Sequence, residues 1–108
     1  MSRQQTALAF EILAEPNRRT ILDLLRVRER PVGELVSILS LTQPAVSKHL
    51  RILREAGMVD VRADARRRLY RVRAEGLQGL DKWIRPYRRM WEASLDKLGN
   101  HLDEMTDE

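Results

Sequence analysis

Residues 42–57, with the sequence TQPAVSKHLRILREAG, constrain the fold more than any other stretch of the chain. Thr42 is a good N-cap, because its hydroxyl can accept a hydrogen bond from an amide of the first helical turn. Pro44 falls in that turn, where a missing N–H costs nothing. Apolar side chains then repeat at helical spacing, at Val46, Leu50 and Leu53. Gly57 can adopt the positive φ that ends a helix, so the stretch predicts a capped amphipathic helix.

The face of this helix opposite the apolar stripe carries Gln43, Ser47, Lys48 and Arg51. Short polar and basic side chains of these types reach base edges and phosphates in DNA-binding helices. An ordinary amphipathic surface helix would show the same pattern. This helix alone therefore leaves both interpretations open, and the flanking sequence has to decide between them.

Three shorter helices are predicted before this stretch, over residues 4–14, 17–28 and 32–39, with breaks at Pro16 and Pro31. The third helix is joined to residues 42–57 by a tight turn at residues 40–41, which predicts a helix-turn-helix unit. Arg18 and Arg19 lie near the start of the second helix, where the helix dipole disfavours cations. A phosphate or acidic partner for one of them, and simple solvent exposure of both, remain open.

Alternating polar and apolar residues after Gly57 predict a β-hairpin with strands at 58–62 and 68–73 and a loop at 63–67. The arginines of this hairpin are Arg62, Arg66, Arg67, Arg68, Arg71 and Arg73. Residues 41–73 hold nine basic and three acidic side chains, a net charge of +6, whereas the whole chain carries +4. This concentration of charge predicts a wing that contacts the DNA backbone.

A last helix is predicted over residues 75–105, because apolar residues alternate at spacings of three and four. These residues are Leu77, Leu80, Ile84, Tyr87, Trp91, Leu95, Leu98, Leu102 and Met105, and Trp83 and Met90 widen the stripe. Pro86 predicts a kink or two abutting helices. So wide an apolar face needs a further surface to cover it. The core of the same chain can cover part of it, and the same helix in a second copy is the simplest cover for the rest.

Composition excludes several classes of protein. The 108 residues are enough for one small domain, and no apolar run approaches the length of a membrane span. We therefore expect a single cytoplasmic domain. The chain has no cysteine, two histidines far apart in sequence and no glycine-rich phosphate loop. No nucleophile, base or metal constellation can be assembled from these residues, so we expect neither an enzyme nor a bound cofactor.

Three segments resemble the ArsR/SmtB family of bacterial transcription repressors. They are ILAEPNRRTILDLL at residues 12–25, LTQPAVSKHLRILREAGMV at 41–59 and RRLYRV at 67–72. The resemblance covers roughly residues 7–73, and its middle segment is highly specific. The last helix, with Trp83, Trp91 and the segment PYRR at 86–89, is similar to a cysteine-free subgroup. The family implies a mainly α fold with a small β-hairpin, a winged helix-turn-helix that dimerises through its terminal helices.

The resemblance also implies binding to an inverted repeat in promoter DNA by a homodimer. Base readout would fall on Gln43, Ser47 and His49, with phosphate contacts from Lys48, Arg51 and the wing residues Arg66, Arg67 and Arg68. Thr42 and Ala45 complete the expected DNA-binding set. The first and last helices would form the dimer interface through Leu8, Ile12, Trp83, Tyr87, Trp91, Leu95, Leu98 and Leu102.

Two departures from the family pattern bear on mechanism. The wing tip reads Asp64-Ala65-Arg66 where the family often has Gly-Arg, which leaves the turn type open. Members that sense metals use a Cys-x-Cys pair in the helix before the recognition helix, and Val36 and Ile38 stand there instead. A second family site needs two histidines on the last helix, which has only His101, expected to be a surface residue. We therefore expect no metal site.

The candidate functions that remain differ in partner. A dimeric promoter-binding repressor is the leading hypothesis. Its regulation is open, either through its own concentration or through a non-metal effector near the dimer helices. Trp83, Tyr87 and Trp91 are candidates to line such an effector site, although aromatic residues at helical spacing are more often core. A winged-helix module that binds only protein is the alternative, which the +6 segment disfavours. For His49, packing and DNA contact are equally compatible with its position at the edge of the apolar stripe.

Overall fold

In the computed structural model, a helix-turn-helix and a β-hairpin lie between the two terminal helices in chain order. The structure describes the backbone of residues 3–106 and the side chains of residues 3–99. In chain order the elements are α1 (Arg3–Leu13), α2 (Pro16–Val27), α3 (Val32–Leu39), α4 (Gln43–Glu55), β1 (Val59–Asp64), β2 (Arg67–Val72), a 3₁₀ turn (Ala74–Leu77) and α5 (Gln78–Thr106). The predicted fold class, mainly α with one small hairpin, is confirmed.

The junction between α1 and α2 explains the two arginines at the start of α2. The Glu15 carboxylate caps α2 by accepting from the Arg18 amide at 2.9 Å. The Arg18 Nε donates to the Ile12 carbonyl at 2.7 Å, and Arg19 Nη1 donates to the Leu13 carbonyl at 2.8 Å. Both guanidinium groups therefore satisfy carbonyls at the C-terminal end of α1, where positive charge is favourable. Neither the phosphate nor the acidic partner considered from sequence is needed to account for them.

The core forms around one face of α4. Val46, Leu50 and Leu53 are all but inaccessible to solvent, and they pack with Ile21 of α2 and Leu35 of α3. Ala9 and Ile12 of α1, Leu25 of α2, and Met58 and Val59 after α4 complete this buried cluster. Ile12 was predicted at the dimer interface, but it is 4 % exposed and belongs to the core of its own chain. The remaining α1 candidate for an interface, Leu8, is half exposed.

Both ends of α4 follow the predicted capping. The Thr42 hydroxyl accepts from the Ala45 amide at 3.3 Å, and Pro44 occupies the first turn. At the other end Gly57 has a φ of 73°, and the Met58 amide donates to the Leu53 carbonyl at 2.9 Å. Ser40, in the turn before α4, also adopts a left-handed conformation, with a φ of 55°. The helix thus begins and ends where the sequence predicts.

The hairpin is longer and tighter than predicted. Asp64 pairs with Arg67, so the loop contains only Ala65 and Arg66 rather than residues 63–67. Ala65 has a φ of 57°, and Arg66 is not among the residues with positive φ, which is the pattern of a type II′ turn with alanine in the usual glycine position. A third segment joins the sheet, because the Arg30 and Tyr70 backbones exchange hydrogen bonds of 3.1 and 2.9 Å.

The last helix does not break at Pro86. The α5 helix continues through this residue, and the irregular segment is instead the 3₁₀ turn that precedes Gln78. Leu77 and Leu80 pack against the core, whereas the large apolar side chains beyond them are exposed. Those of α5 are Trp83, Ile84, Tyr87, Met90, Trp91, Leu95 and Leu98. The core of the chain therefore covers only the first turn of the stripe. The side chains of His101, Leu102 and Met105 lie outside the described residues.

A close backbone contact at Gly76 yields a test of this packing. A Cβ at Gly76 would lie 2.4 Å from the Gly57 carbonyl oxygen, whereas a Cβ at Gly33 would have no atom within 4 Å. We expect Gly76→Ala to lower the free energy of unfolding by about 1–3 kcal/mol, as overpacking does. Gly33→Ala, inside α3, should raise it by up to about 1 kcal/mol.

Urea unfolding of both variants at one protein concentration measures this difference, since association would make stability concentration-dependent. Equal stability of the two variants would contradict the close approach of the 3₁₀ turn to the end of α4.

Candidate nucleic-acid interface

The outer face of α4 carries the side chains predicted to contact DNA. Gln43, Ser47, Lys48 and Arg51 are all exposed, because the buried stripe turns the opposite side of the helix inward. The Thr42 side chain is exposed while its hydroxyl caps the helix, and Ala45 is half-buried. The N-terminal half of α4 thus presents a polar, positively charged face without any large apolar side chain.

His49 lies on a different side of α4. Its side chain is 17 % exposed, and Nδ1 is 4.0 Å from the Glu15 carboxylate at the start of α2. Among the residues that the structure describes, the buried Nδ1 has no hydrogen-bond partner. This position favours the packing role over the DNA-facing role, so we do not retain His49 for base readout.

The hairpin divides its arginines between two faces. Residues paired across an antiparallel ladder share a face, which places Arg62, Arg67 and Arg71 on one side and Arg68 beside Ala63 on the other. Glu29, just before the third segment of the sheet, binds Arg62 at 2.8 Å. Arg71 pairs with Asp60 at 3.1 Å, Arg67 with Asp64 at 3.4 Å and Arg73 with Glu75 at 3.7 Å. Four of the six hairpin arginines therefore have acidic partners within the chain.

Arg66 and Arg68 are the hairpin arginines without an acidic partner among residues 3–99. Arg66 stands at the turn, and Arg68 lines a cleft of about 220 Å³ between the hairpin and α4. Arg54, in the last turn of α4, lines the same cleft. Arg54 is not among the residues that the sequence predicts to contact DNA. The sequence feature that could have indicated Arg54 is its position as a basic residue in the last turn of α4. A cation there is equally well explained by its favourable interaction with the helix dipole, without any contact to DNA.

Two carboxylates, those of Glu29 and Glu34, have pKa values lowered by neighbouring arginines. The hydrogen bond from Arg62 is the largest cause that lowers the pKa of Glu29, and the charge of Arg71 adds to it. The pKa of Glu34 is also lowered, chiefly by its hydrogen bond from Arg28 and then by the nearby Arg30. Arg30 is itself nearly buried and donates to the Leu24 carbonyl at 3.1 Å. Glu29 therefore anchors the hairpin through Arg62 and Arg71, and the Arg30 backbone adds its two hydrogen bonds to Tyr70.

A metal site or a membrane span would require a different arrangement of side chains. Within the described residues, no group of three or more histidine, cysteine, aspartate or glutamate side chains is arranged to hold a metal ion. No described helix combines the length and the apolar character that crossing a membrane requires. The polar face of α4, the arginine cleft and the wing tip are the site that the geometry assembles.

Comparison with known proteins identifies this arrangement. The family model described as bacterial regulatory protein, arsR family, matches residues 15–61, which contain α2, α3 and α4. The HTH-type transcriptional regulator Rv2034 of Mycobacterium tuberculosis is 33% identical over 100 residues, covering 93% of this chain and 91% of that protein. The chain belongs to the ArsR family. It is a DNA-binding transcriptional regulator with a winged helix-turn-helix, and its relatives are regulators rather than enzymes.

Two further comparisons bear on function. The biofilm growth-associated repressor of Agrobacterium fabrum is 40% identical over 68 residues, which are 63% of this chain and 58% of that protein. The solution structure of the winged helix-turn-helix domain of Mb0332 from Mycobacterium bovis is described as homodimeric. It is 28% identical, with a TM-score of 0.64 over 80% of each chain.

The anchoring of the wing by Glu29 predicts a pH dependence. Because the pKa of Glu29 is lowered in the folded chain, the unfolded chain binds more protons near pH 4. The contribution of Glu29 to stability is therefore complete above its usual pKa of 4.5 and is lost as the pH falls through the lowered value. Glu29→Gln should remove this part of the acid dependence, and it should speed amide hydrogen exchange in β1 and β2 at neutral pH.

Glu92→Gln is the matched control, because Glu92 is exposed on α5, away from the hairpin. Urea unfolding from pH 3 to pH 7 and hydrogen exchange followed by mass spectrometry measure both effects. Unchanged exchange in the hairpin of Glu29→Gln would show that Glu29 does not hold the wing.

Proposed function

We propose that this ArsR-family chain is a homodimeric repressor that binds an inverted repeat in promoter DNA as one winged helix-turn-helix domain over residues 1–108. The helix-turn-helix spans about 32–57, the wing 58–73 and the dimerisation helix 75–105. The observation that carries the proposal is the exposed polar face of α4, beside a cleft where neither Arg54 nor Arg68 forms an ion pair with any side chain of residues 3–99. We propose that the protein acts in the cytoplasm, where its promoter DNA lies.

We assign different roles to the two parts of the interface. Gln43 and Ser47 lie in the first turns of α4, the part of a recognition helix that meets base edges in the major groove. Lys48, Arg51, Arg54, Arg66 and Arg68 carry mobile positive charge suited to phosphates, which supply affinity without sequence information. Arg67 is exposed and its distance of 3.4 Å to Asp64 is long, so phosphate can compete for it. Thr42 and Ala45 border this surface.

The first prediction from this assignment separates readout from charge. Gln43→Ala and Ser47→Ala should each cost about 1–3 kcal/mol on the operator and little on random DNA. Arg66→Ala and Arg68→Ala should weaken binding to both DNAs and lower the salt slope by about one unit each. Fluorescence anisotropy on operator and scrambled duplexes at several salt concentrations measures these effects, once a footprint upstream of the chain's own gene has located the operator.

Lys97→Ala is the control for net charge, because Lys97 is exposed on α5. It should change neither the salt slope nor the preference for the operator. If Gln43→Ala and Ser47→Ala weakened both duplexes equally, α4 would not read sequence. The protein would then bind DNA by charge alone.

The homodimer is supported by the apolar face of α5. Trp91, Leu95 and Leu98 are 66%, 51% and 54% exposed, although their helix has charged residues available on its other side. A contiguous exposed patch of this kind marks an interface in most proteins. A second copy offers an identical patch, and an isologous contact joins the two with two-fold symmetry. Leu8, Trp83 and Tyr87 extend this face, and a relative with the same fold is homodimeric.

The second prediction concerns this face. Leu95→Asp combined with Leu98→Asp should give monomers and lose operator binding, because two charges would be buried in the apolar contact. Ala93→Asp, on the same helix but outside the apolar stripe, should stay dimeric. Light scattering and anisotropy measure assembly and binding. A dimer that survives the paired substitution would place the interface elsewhere.

We also propose that this regulator works without sensing metal. The chain lacks the thiols that many metal-sensing members of the family use, and the described residues hold no cluster of ligands. Calorimetry with zinc, nickel and cadmium should reveal no site tighter than about micromolar, which would correspond to about 8 kcal/mol. A stoichiometric, tighter isotherm accompanied by a change in operator affinity would overturn this part of the proposal.

A further inference from the structure

One polar atom in the contact between α4 and the start of α2 has no hydrogen-bond partner among the described residues. It is Nδ1 of His49, which is buried although the side chain as a whole is 17 % exposed. Its acidic neighbour is the Glu15 carboxylate, whose Oε2 lies 4.0 Å away. That distance exceeds the roughly 2.7–3.2 Å of a hydrogen bond. A buried nitrogen left unpaired costs free energy, so its presence on α4 needs a physical reason.

The Glu15 carboxylate can accept a further hydrogen bond. It already accepts from the Arg18 amide at 2.9 Å and from Asn17 Nδ2 at 3.3 Å, both in the first turn of α2. Two carboxylate oxygens have about four lone-pair sites, so capacity remains for a third donor. A neutral imidazole carries one N–H and one bare nitrogen, whereas an imidazolium donates from both nitrogens. Protonation of His49 therefore ensures a donor at Nδ1, and its charge attracts the carboxylate across the remaining gap.

Glu15 is the acidic side chain that meets His49 within 4.0 Å in the described part of the chain. The basic side chains of the same junction face α1, since Arg18 and Arg19 donate to its last carbonyls. Charged groups on the other elements that pack against α4 have surroundings of their own. They are Glu34 of α3 and Asp60, Arg62 and Asp64 of β1, all in ion pairs, and Asp23 and Arg26 of α2, which line a groove beside Val72. On α4 itself, Lys48 is exposed.

We propose that His49 is a positioning residue for operator recognition, because its protonation closes the contact to Glu15 and fixes α4 against the start of α2. The effect on the operator rests on the proposed function above, whereas the contact itself does not. Imidazole is the side chain whose charge ordinarily changes between pH 5 and pH 8. Ser47 and Lys48 directly precede His49, so restraining His49 restrains the part of α4 proposed to meet DNA. A helix already held in one orientation loses less freedom on binding, which favours the operator over random DNA.

The Arg18 amide, which donates to Glu15, reports on the contact in the protein without DNA. Its ¹⁵N–¹H signal should move between pH 7.5 and pH 5.5, a range above that in which carboxylates ordinarily titrate. The movement should vanish in His49→Gln, because an amide side chain stays polar but takes up no proton in this range. His101→Gln is the matched control, since it removes the other imidazole of the chain and should leave the movement intact.

Operator preference is the ratio of the affinities for operator and scrambled duplexes, measured by anisotropy with a dye whose emission does not depend on pH. We expect this preference to rise about two- to fivefold from pH 7.5 to pH 5.5, the effect of one partly exposed ion pair. In His49→Gln and in Glu15→Gln the ratio should not change with pH. Glu15→Gln keeps a side-chain oxygen that can accept from the Arg18 amide, and circular dichroism establishes that each variant is folded.

The outcomes separate the contact from its effect on DNA binding. An Arg18 signal that stays in place in the unmodified protein, or that moves equally in His49→Gln, would overturn the contact and with it the positioning role. A moving signal with a constant operator preference would overturn the positioning role and leave the contact standing. A preference that still depends on pH in His49→Gln would do the same. If no operator were bound at either pH, the proposed function would fall, and the Arg18 signal would still decide the contact.

Discussion

Burial of one face of α4 is the constraint on which the rest of the structure depends. Val46, Leu50 and Leu53 lie in the core, in the same buried cluster as residues of α1, α2 and α3. Because these three side chains are at helical spacing, their burial leaves only one orientation for the opposite face. Gln43, Ser47 and Arg51 must then face solvent. The exposure of the proposed DNA-binding face is thus a consequence of the same contacts that stabilise the domain.

Some arginines of the wing form ion pairs within the chain, and others are available for binding DNA. A two-stranded hairpin is marginal alone, and here Glu29 and the Arg30 backbone attach it to the segment between α2 and α3. Arg62 and Arg71 serve that attachment. Removing either would therefore weaken DNA binding through a loosened wing even if the guanidinium never met a phosphate. Arg66 and Arg68 have no such partners among the described side chains, so we expect their charges to remain available. Counting arginines in the hairpin sequence overestimates the number free to bind DNA.

Local signals predicted α3 and α4 well, because caps, glycine and apolar spacing lie within the helices themselves. The errors arose where a distant contact decides the conformation. Arg18 and Arg19 cap α1 from the next helix, which a dipole argument confined to α2 cannot reveal. The two-residue turn at Ala65 places alanine in a conformation usually left to glycine, so composition favoured a longer loop. From sequence, Ile12 could lie either in the core of its own chain or at an interface, because both need an apolar side chain. The packing of α1 places it in the core.

The 3₁₀ turn just before α5 connects the helix of the proposed dimer face to the end of the recognition helix, α4. Gly76 approaches the Gly57 backbone so closely that a Cβ would not fit, and the Arg73 amide donates to the Met58 carbonyl at 2.8 Å. Both contacts join the segment before α5 to the residues that end α4. Close-packed backbones transmit a displacement rather than absorb it. We therefore expect a shift of α5 to displace the end of α4 as well. In the proposed dimer, the distance between the two recognition helices would depend on this contact as well as on the apolar face of α5.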